Sequence, residues 1–77
     1  MDPQANWEQL LEAYAEGDWD RVQELADGLL HWLRRGGFPP RATTGSDLGQ
    51  DWDRAIALAA CRLALAKVGE EVADVPS

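Results

Sequence analysis

The feature that most constrains this chain is the run from residue 55 to residue 66, in which Arg62 is the only polar side chain. Such a run predicts a helix that is apolar on nearly every side, and such a helix has to be covered on most of them. Its many alanines permit neighbouring backbones to approach closely. Because a chain of 77 residues has few other elements to cover it, we expect a second copy to do so in a two-fold dimer.

Two amphipathic helices precede the apolar run. The first is predicted over residues 3–16, because Asp2-Pro3 is a typical helix start and apolar side chains recur every three or four residues. The second is predicted over residues 18–35, where the same spacing continues. Gly17 leaves room for only a short turn, so the two helices should form an antiparallel hairpin. The apolar positions are Trp7, Leu10, Leu11 and Tyr14 in the first helix and Val22, Leu25, Ala26, Leu29, Trp32 and Leu33 in the second.

A loop rich in glycine and proline, residues 36–46, follows the hairpin. Gly36-Gly37 ends the second helix, and Pro39-Pro40 prevents the helix from restarting at once. Phe38 is the large apolar residue of this loop. We expect it to fold back as a plug over the end of the core.

The third helix is predicted over residues 47–68. Asp47 begins a pattern that resembles a capping box, and Asp51 is a competing N-cap. Gly69 is expected to end the helix, and residues 70–77 are expected to form a flexible tail. The predicted fold class is all-α: a small three-helix bundle in which an antiparallel helical hairpin packs against an alanine-rich third helix, the whole chain forming a single domain.

One internal repeat is present. Asp18-Trp19-Asp20-Arg21 recurs as Asp51-Trp52-Asp53-Arg54, at an offset of 33 residues, which is typical of helical-hairpin repeats. The segment 7–33 resembles a single tetratricopeptide repeat, and the resemblance implies a helical hairpin that binds protein. It is carried by residues 17–22, Ala26, Leu29 and Leu30, with Trp7, Leu10 and Tyr14 in the first helix. Residues 36–50 lack a second first-helix pattern, so we predict one hairpin and a solitary third helix. The segment 32–40 also resembles parts of short uncharacterised bacterial proteins, which implies no function.

Acidic residues dominate the first half of the chain. Residues 1–33 carry eight acids and one base, and the net charge is −7. This charge disfavours nucleic acid as a partner, because a nucleic-acid binder needs a cationic surface. The sequence contains no apolar stretch long enough for a membrane span and no secretory signal. Together with the lone thiol, these features predict a cytoplasmic protein.

The sequence predicts no metal site, no cofactor and no catalytic residues. Cys61 is the only cysteine and His31 the only histidine, so an internal disulfide is impossible and the ligands are too few for structural zinc. Cys61 lies in the apolar run, which predicts an inert buried thiol. Acyl carrier proteins are also small, acidic and helical, but Gly45-Ser46-Asp47-Leu48 changes the order of their Asp-Ser-Leu motif. An enzyme would require His31 to gain partners across the fold.

Two tryptophans are candidates for an interface. Trp19 and Trp52 occupy matching first-turn positions of their helices, where a large ring either closes the end of the core or stays half exposed as an interface anchor. We expect one of the two to be exposed.

A basic cluster supplies the other candidate interface residues. Arg34, Arg35 and Arg41, with Phe38 between them, could bind a phosphate or an acidic peptide, although arginines there more often neutralise the carbonyls at a helix end. The predicted function is a small non-catalytic protein–protein interaction or scaffold module that self-associates into a homo-oligomer. The alternative is an acidic decoy that covers a cationic surface of another macromolecule.

Overall fold

The computed structural model contains three helices and describes residues 1–43 and 45–73, with only the backbone of the last two. Helix α1 spans Pro3–Glu16, α2 spans Trp19–Arg34 and α3 spans Gln50–Ala73. No strand is present in the residues described. The prediction of a small all-α bundle of three helices is therefore confirmed.

The first two helices form a hairpin whose ends are set by specific residues. Asp2 caps α1, because its carboxylate accepts two backbone N–H groups of the first turn, each at 3.1 Å. Gly17 ends α1 in the left-handed conformation, at φ 71°, which residues with a side chain rarely adopt. Asp18 then caps α2 by accepting the backbone N–H of Arg21 at 3.4 Å. The short turn makes α1 and α2 antiparallel.

The third helix runs antiparallel to the second. Arg54, near the start of α3, donates from Nη1 to the carbonyl oxygen of Leu33 and from Nη2 to that of Gly37, each at 2.9 Å. The start of α3 therefore lies beside the end of α2. Helix α2 packs against both of the others, whereas α1 and α3 barely touch. It follows that α1 and α3 run in the same direction along the two sides of α2.

The core lies along the buried side of α2. Val22, Ala26 and Leu29 have no exposed surface at all, because α2 is enclosed by both neighbours. Helices α1 and α3 each contribute one apolar face. The other buried apolar residues of the described helices are Pro3, Trp7, Leu10 and Ala13 of α1, Leu30 and Leu33 of α2, and Ala57, Cys61, Ala64 and Val68 of α3.

The loop after α2 covers the core with prolines rather than with Phe38. Pro39 and Pro40 are buried, whereas the Phe38 side chain is 57% exposed, so the prediction of a phenylalanine plug is wrong. The indole N–H of Trp32 donates to the carbonyl oxygen of Phe38 at 2.9 Å, and the two rings meet edge to face. This pairing holds the phenylalanine ring on the outside of Trp32. A Cβ on Gly37 would overlap the Trp32 indole, so the position has to be glycine.

Helix α3 begins within the range 47–52 spanned by its two predicted N-caps, and it ends later than the sequence predicts. The side chain of Asp47 accepts the N–H of Gly49 at 3.1 Å, which makes a local turn instead of a helix cap, and the helix begins at Gln50. Gly69 lies inside the helix. Beyond it, Lys67 forms ion pairs with Glu70 at 3.7 Å and Glu71 at 3.4 Å, so residues 70–73 are helical rather than part of a tail. Residues 74–77 of the predicted tail lie outside the described residues.

Candidate functional site

Helix α3 carries two rows of residues at heptad spacing, and only one of them is buried. The inner row, Asp53, Ala57, Cys61, Ala64 and Val68, is buried. A second row, centred about 140° around the helix from the first, is left largely uncovered, and we call it the outer row. It consists of Trp52, Ile56, Ala59, Leu63 and Ala66.

The outer row exposes large apolar side chains. Leu63 is 62% exposed and Trp52 is 49% exposed, while Ala59 and Ala66 are exposed and Ile56 is half-buried. The expectation that α3 is covered on most sides is therefore not met within one chain. The physical reason is that α2 can cover only one side of a helix, and α1 barely touches α3.

The gap between α1 and α3 forms an apolar groove beside the outer row. Its volume is about 210 Å³. Tyr14 closes one end, where its ring packs edge to face on Trp19 at a centroid distance of 5.4 Å. Leu11, on the α1 wall, is 50% exposed. We define the outer row together with Leu11 as the apolar face. The groove is lined by Leu10, Leu11, Tyr14, Ala60, Leu63 and Ala64.

The two ends of the apolar face differ in charge. Where α1 and α3 begin, the exposed side chains of Arg34, Arg35 and Arg41 are offset by those of Asp2, Asp47 and Asp51, whereas the other end is acidic. At the end where α1 and α3 begin, the backbone N–H of Arg41 donates to the side-chain oxygen of Gln4 at 2.8 Å, and the Arg41 side chain is exposed. At the other end stand Glu70 and Glu71. They contact Lys67, and the hydrogen bond from Lys67 to Glu71 raises the pKa of the lysine.

The acidic residues of α1 and α2 form a second surface feature. All eight acids of residues 1–33 are exposed. None of them takes part in an ion pair within the described residues, where Lys67 provides the ion pairs. They are Asp2, Glu8, Glu12, Glu16, Asp18, Asp20, Glu24 and Asp27.

The two matching tryptophans occupy different environments. Trp52 is 49% exposed, whereas Trp19 is half-buried against Tyr14. The surrounding repeat also has different roles in its two copies. Asp20 is exposed, whereas its equivalent Asp53 is buried and accepts the backbone N–H of Ala42 at 3.2 Å. The shared four residues therefore do not mark two equivalent structural units.

The side chains of the predicted basic cluster do not bond the carbonyl groups at the end of α2. The side chains of Arg34, Arg35 and Arg41 are exposed and make no hydrogen bond within the described residues. Arg54 instead bonds the carbonyl oxygen of Leu33, in the last turn of α2, and that of Gly37, in the loop after it. Sequence reasoning missed Arg54 in this role because its partners are 17 and 21 residues away.

His31 and Cys61 lie in different environments. His31 is exposed and lines a shallow depression, whose other described lining residues are Asp27, Gly28, Leu30 and Arg34 of α2. The Cys61 side chain is fully buried, and desolvation raises the pKa of its thiol to about 11. No group of three or more potential metal-binding side chains is present in the part of the chain that is described.

Comparison of the chain with models of protein families, with curated protein sequences and with solved structures finds no significant match. Within the described residues, no helix is both long enough and apolar enough to span a bilayer. The apolar face and the acidic surface are thus the features on which a functional interpretation rests.

Proposed function

We propose that this protein is a small non-catalytic protein–protein interaction module that self-associates through the apolar face. The observation that supports this proposal is the exposure of Leu63 and Trp52 on the outer row of α3, with Leu11 exposed on the other wall of the groove that Leu63 lines. Burial of an exposed leucine contributes about 1.5–3 kcal/mol when complete. Several such side chains on one face favour association.

The large negative charge predicts how salt affects this association. Two copies that each carry a net charge of −7 repel one another. Added salt screens that repulsion but leaves apolar burial in place. Self-association should therefore strengthen as the salt concentration rises.

Sedimentation equilibrium from about 10 µM to about 1 mM tests the proposal. We expect the mean mass to rise with concentration, and Leu63→Glu to abolish the rise. Leu48→Glu is the matched control, because Leu48 is 55% exposed but lies in the loop before α3; it should leave the association unchanged. A strict monomer over the whole range, or equal effects of the two variants, would contradict the proposal.

A second candidate function is the covering of a cationic surface on another macromolecule. It is supported by the eight exposed acids of residues 1–33, which lack ion-pair partners within the described residues. Such a surface attracts a cationic partner over a distance that salt shortens.

Titration with a short polylysine peptide tests this second function. Binding should weaken as ionic strength rises, the opposite of the dependence expected for self-association. The triple variant Glu8→Gln, Glu12→Gln, Glu16→Gln should weaken it, whereas Leu63→Glu should not. Binding that is insensitive to both salt and the triple variant would exclude the acidic surface as the site.

A further inference from the structure

We infer that the occupant of the apolar face is a second copy of this chain, bound with its α3 antiparallel to the first and with Ala59 on the two-fold axis. This inference rests on the proposed function and adds the orientation and register of the dimer. It is carried by two observations: the order of large and small side chains along the outer row, and the charges at the two ends of the apolar face.

The side chains of the outer row are complementary to themselves only when the row is reversed. With Ala59 facing its own equivalent, Ile56 faces Leu63 of the second copy, and Trp52 faces Ala66. Each large residue thus meets a smaller one or an aliphatic of similar size. The central Ala59 lets the two helix backbones approach closely, which is the geometry of antiparallel helix packing.

A parallel arrangement pairs the same residues badly. Trp52 would face Trp52 at one end of the row, and Ala66 would face Ala66 at the other. Two facing indoles hold the helices apart at one end, whereas two facing alanines allow close approach at the other. The interface would therefore be unevenly packed along its length. Close packing is required for a stable interface, and the parallel arrangement of the two helices does not provide it.

The charges at the ends of the apolar face select the same orientation. At the end where α1 and α3 begin, the exposed arginines are offset by exposed aspartates, whereas Glu70 and Glu71 make the opposite end acidic. Reversal of the second copy keeps the acidic end of each copy away from the acidic end of the other. A parallel pair would place like charges together.

The helix dipoles add to this preference. Helices α1 and α3 run in the same direction on the two sides of the groove, so their dipoles point the same way within one copy. An antiparallel second copy opposes them, whereas a parallel copy would align four helix ends of the same sign at each end of the dimer.

Disulfide trapping of the full chain tests the orientation. Ala59→Cys places two thiols at the axis, within the separation of about 4.4–6.8 Å between Cα atoms that a disulfide requires. Ala66→Cys is the matched control on the same exposed row. In the antiparallel dimer its two copies lie about 21 Å apart along the helices. The native Cys61 is fully buried, so the unaltered chain provides the background rate.

We expect Ala59→Cys to form a covalent dimer at least about tenfold faster than Ala66→Cys under mild oxidation. A mixture of Trp52→Cys and Ala66→Cys chains should form the mixed disulfide in preference to either homodimer. Equal trapping of Ala59→Cys and Ala66→Cys would overturn the antiparallel arrangement. Absence of trapping in every variant would also overturn it, even if sedimentation showed self-association, because the dimer would then use another register or face. A monomer in sedimentation would remove the proposed function and this inference together.

Discussion

Arg54 joins two helices through hydrogen bonds to main-chain groups, and its replacement gives a sharp test of the fold. Its guanidinium donates to the carbonyl oxygens of Leu33 and Gly37, each at 2.9 Å. Leu33 lies in the last turn of α2, where its carbonyl oxygen also accepts the N–H of Gly36 at 3.1 Å, and Gly37 lies in the loop that follows. Arg54→Met keeps the length of the side chain and removes every donor, so it isolates the contribution of these two bonds.

The expected loss follows from the number, charge and burial of the bonds. A hydrogen bond to a charged group contributes about 1.5–3 kcal/mol to stability, and the lower figure applies because Arg54 is only partly buried. Two bonds therefore give about 3 kcal/mol. For a domain of this size, 1 kcal/mol corresponds to about 4–8 °C in Tm. Arg54→Met should lower the Tm by about 12 °C or more.

Urea unfolding followed by far-ultraviolet circular dichroism, at protein concentrations low enough to exclude association, measures this loss. Arg62→Met is the control, because Arg62 lies on the same helix, is exposed and makes no hydrogen bond within the described residues. Arg54→Lys keeps the charge but not the two-pronged geometry, and should recover about half of the loss. If Arg54→Met and Arg62→Met agree within about 0.5 kcal/mol, the bridge contributes nothing to stability.

Two further predictions concern particular positions in the fold. Gly37→Ala should destabilise the chain by more than about 1 kcal/mol, because a Cβ there overlaps the Trp32 indole. Gly69→Ala should stabilise it by about 0.5–1 kcal/mol, because that glycine is helical with open space around it. Urea unfolding of the two variants measures both changes in unfolding free energy. Two changes in the same direction would contradict one of the predictions. Burial raises the pKa of the Cys61 thiol from 9.0 to about 11, so the unfolded thiol ionises first. The unfolding free energy should therefore fall between about pH 9 and 11, by up to about 3 kcal/mol. Unfolding of Cys61→Ala over the same pH range should show a smaller fall, and identical slopes would refute the assignment.

The two proposed functions use different surfaces of the molecule, and the net charge affects them in opposite ways. Self-association uses the apolar face and is opposed by the net charge of −7. Attraction of a cationic partner uses the exposed acids and is promoted by that charge. Because salt strengthens the first and weakens the second, ionic strength separates them in a single preparation, and Leu63→Glu should affect only the first.

Much of the hairpin could be predicted because its signals are local. Asp2, Gly17 and Asp18 act on backbone groups within a few residues of themselves, and the apolar spacing defines which side of each helix is buried. The end of α3 was less predictable. Glycine is a common helix terminator, but α3 continues past Gly69 to Ala73, where Lys67 forms ion pairs with Glu70 and Glu71.

The apolar face was predicted only in part. The sequence indicates that α3 has more apolar surface than its own chain can cover, and it includes Trp52 among the candidate anchors. It does not indicate that Leu63 and Leu11 are exposed on the same side. Both rows of α3 are apolar, so hydrophobic spacing alone does not distinguish the buried one from the exposed one.

Local chemistry along the chain is thus enough to specify three helices, the tight turn between the first two and the excess of apolar surface on the third. Which side of α3 faces α2, which arginine bonds the end of α2 and which tryptophan stays exposed depend on how the helices pack. The physical reason is range: caps and turns act over a few residues, whereas Arg54 and Asp53 act on groups 11 to 21 residues away. Those groups come within hydrogen-bonding distance only after the chain has folded.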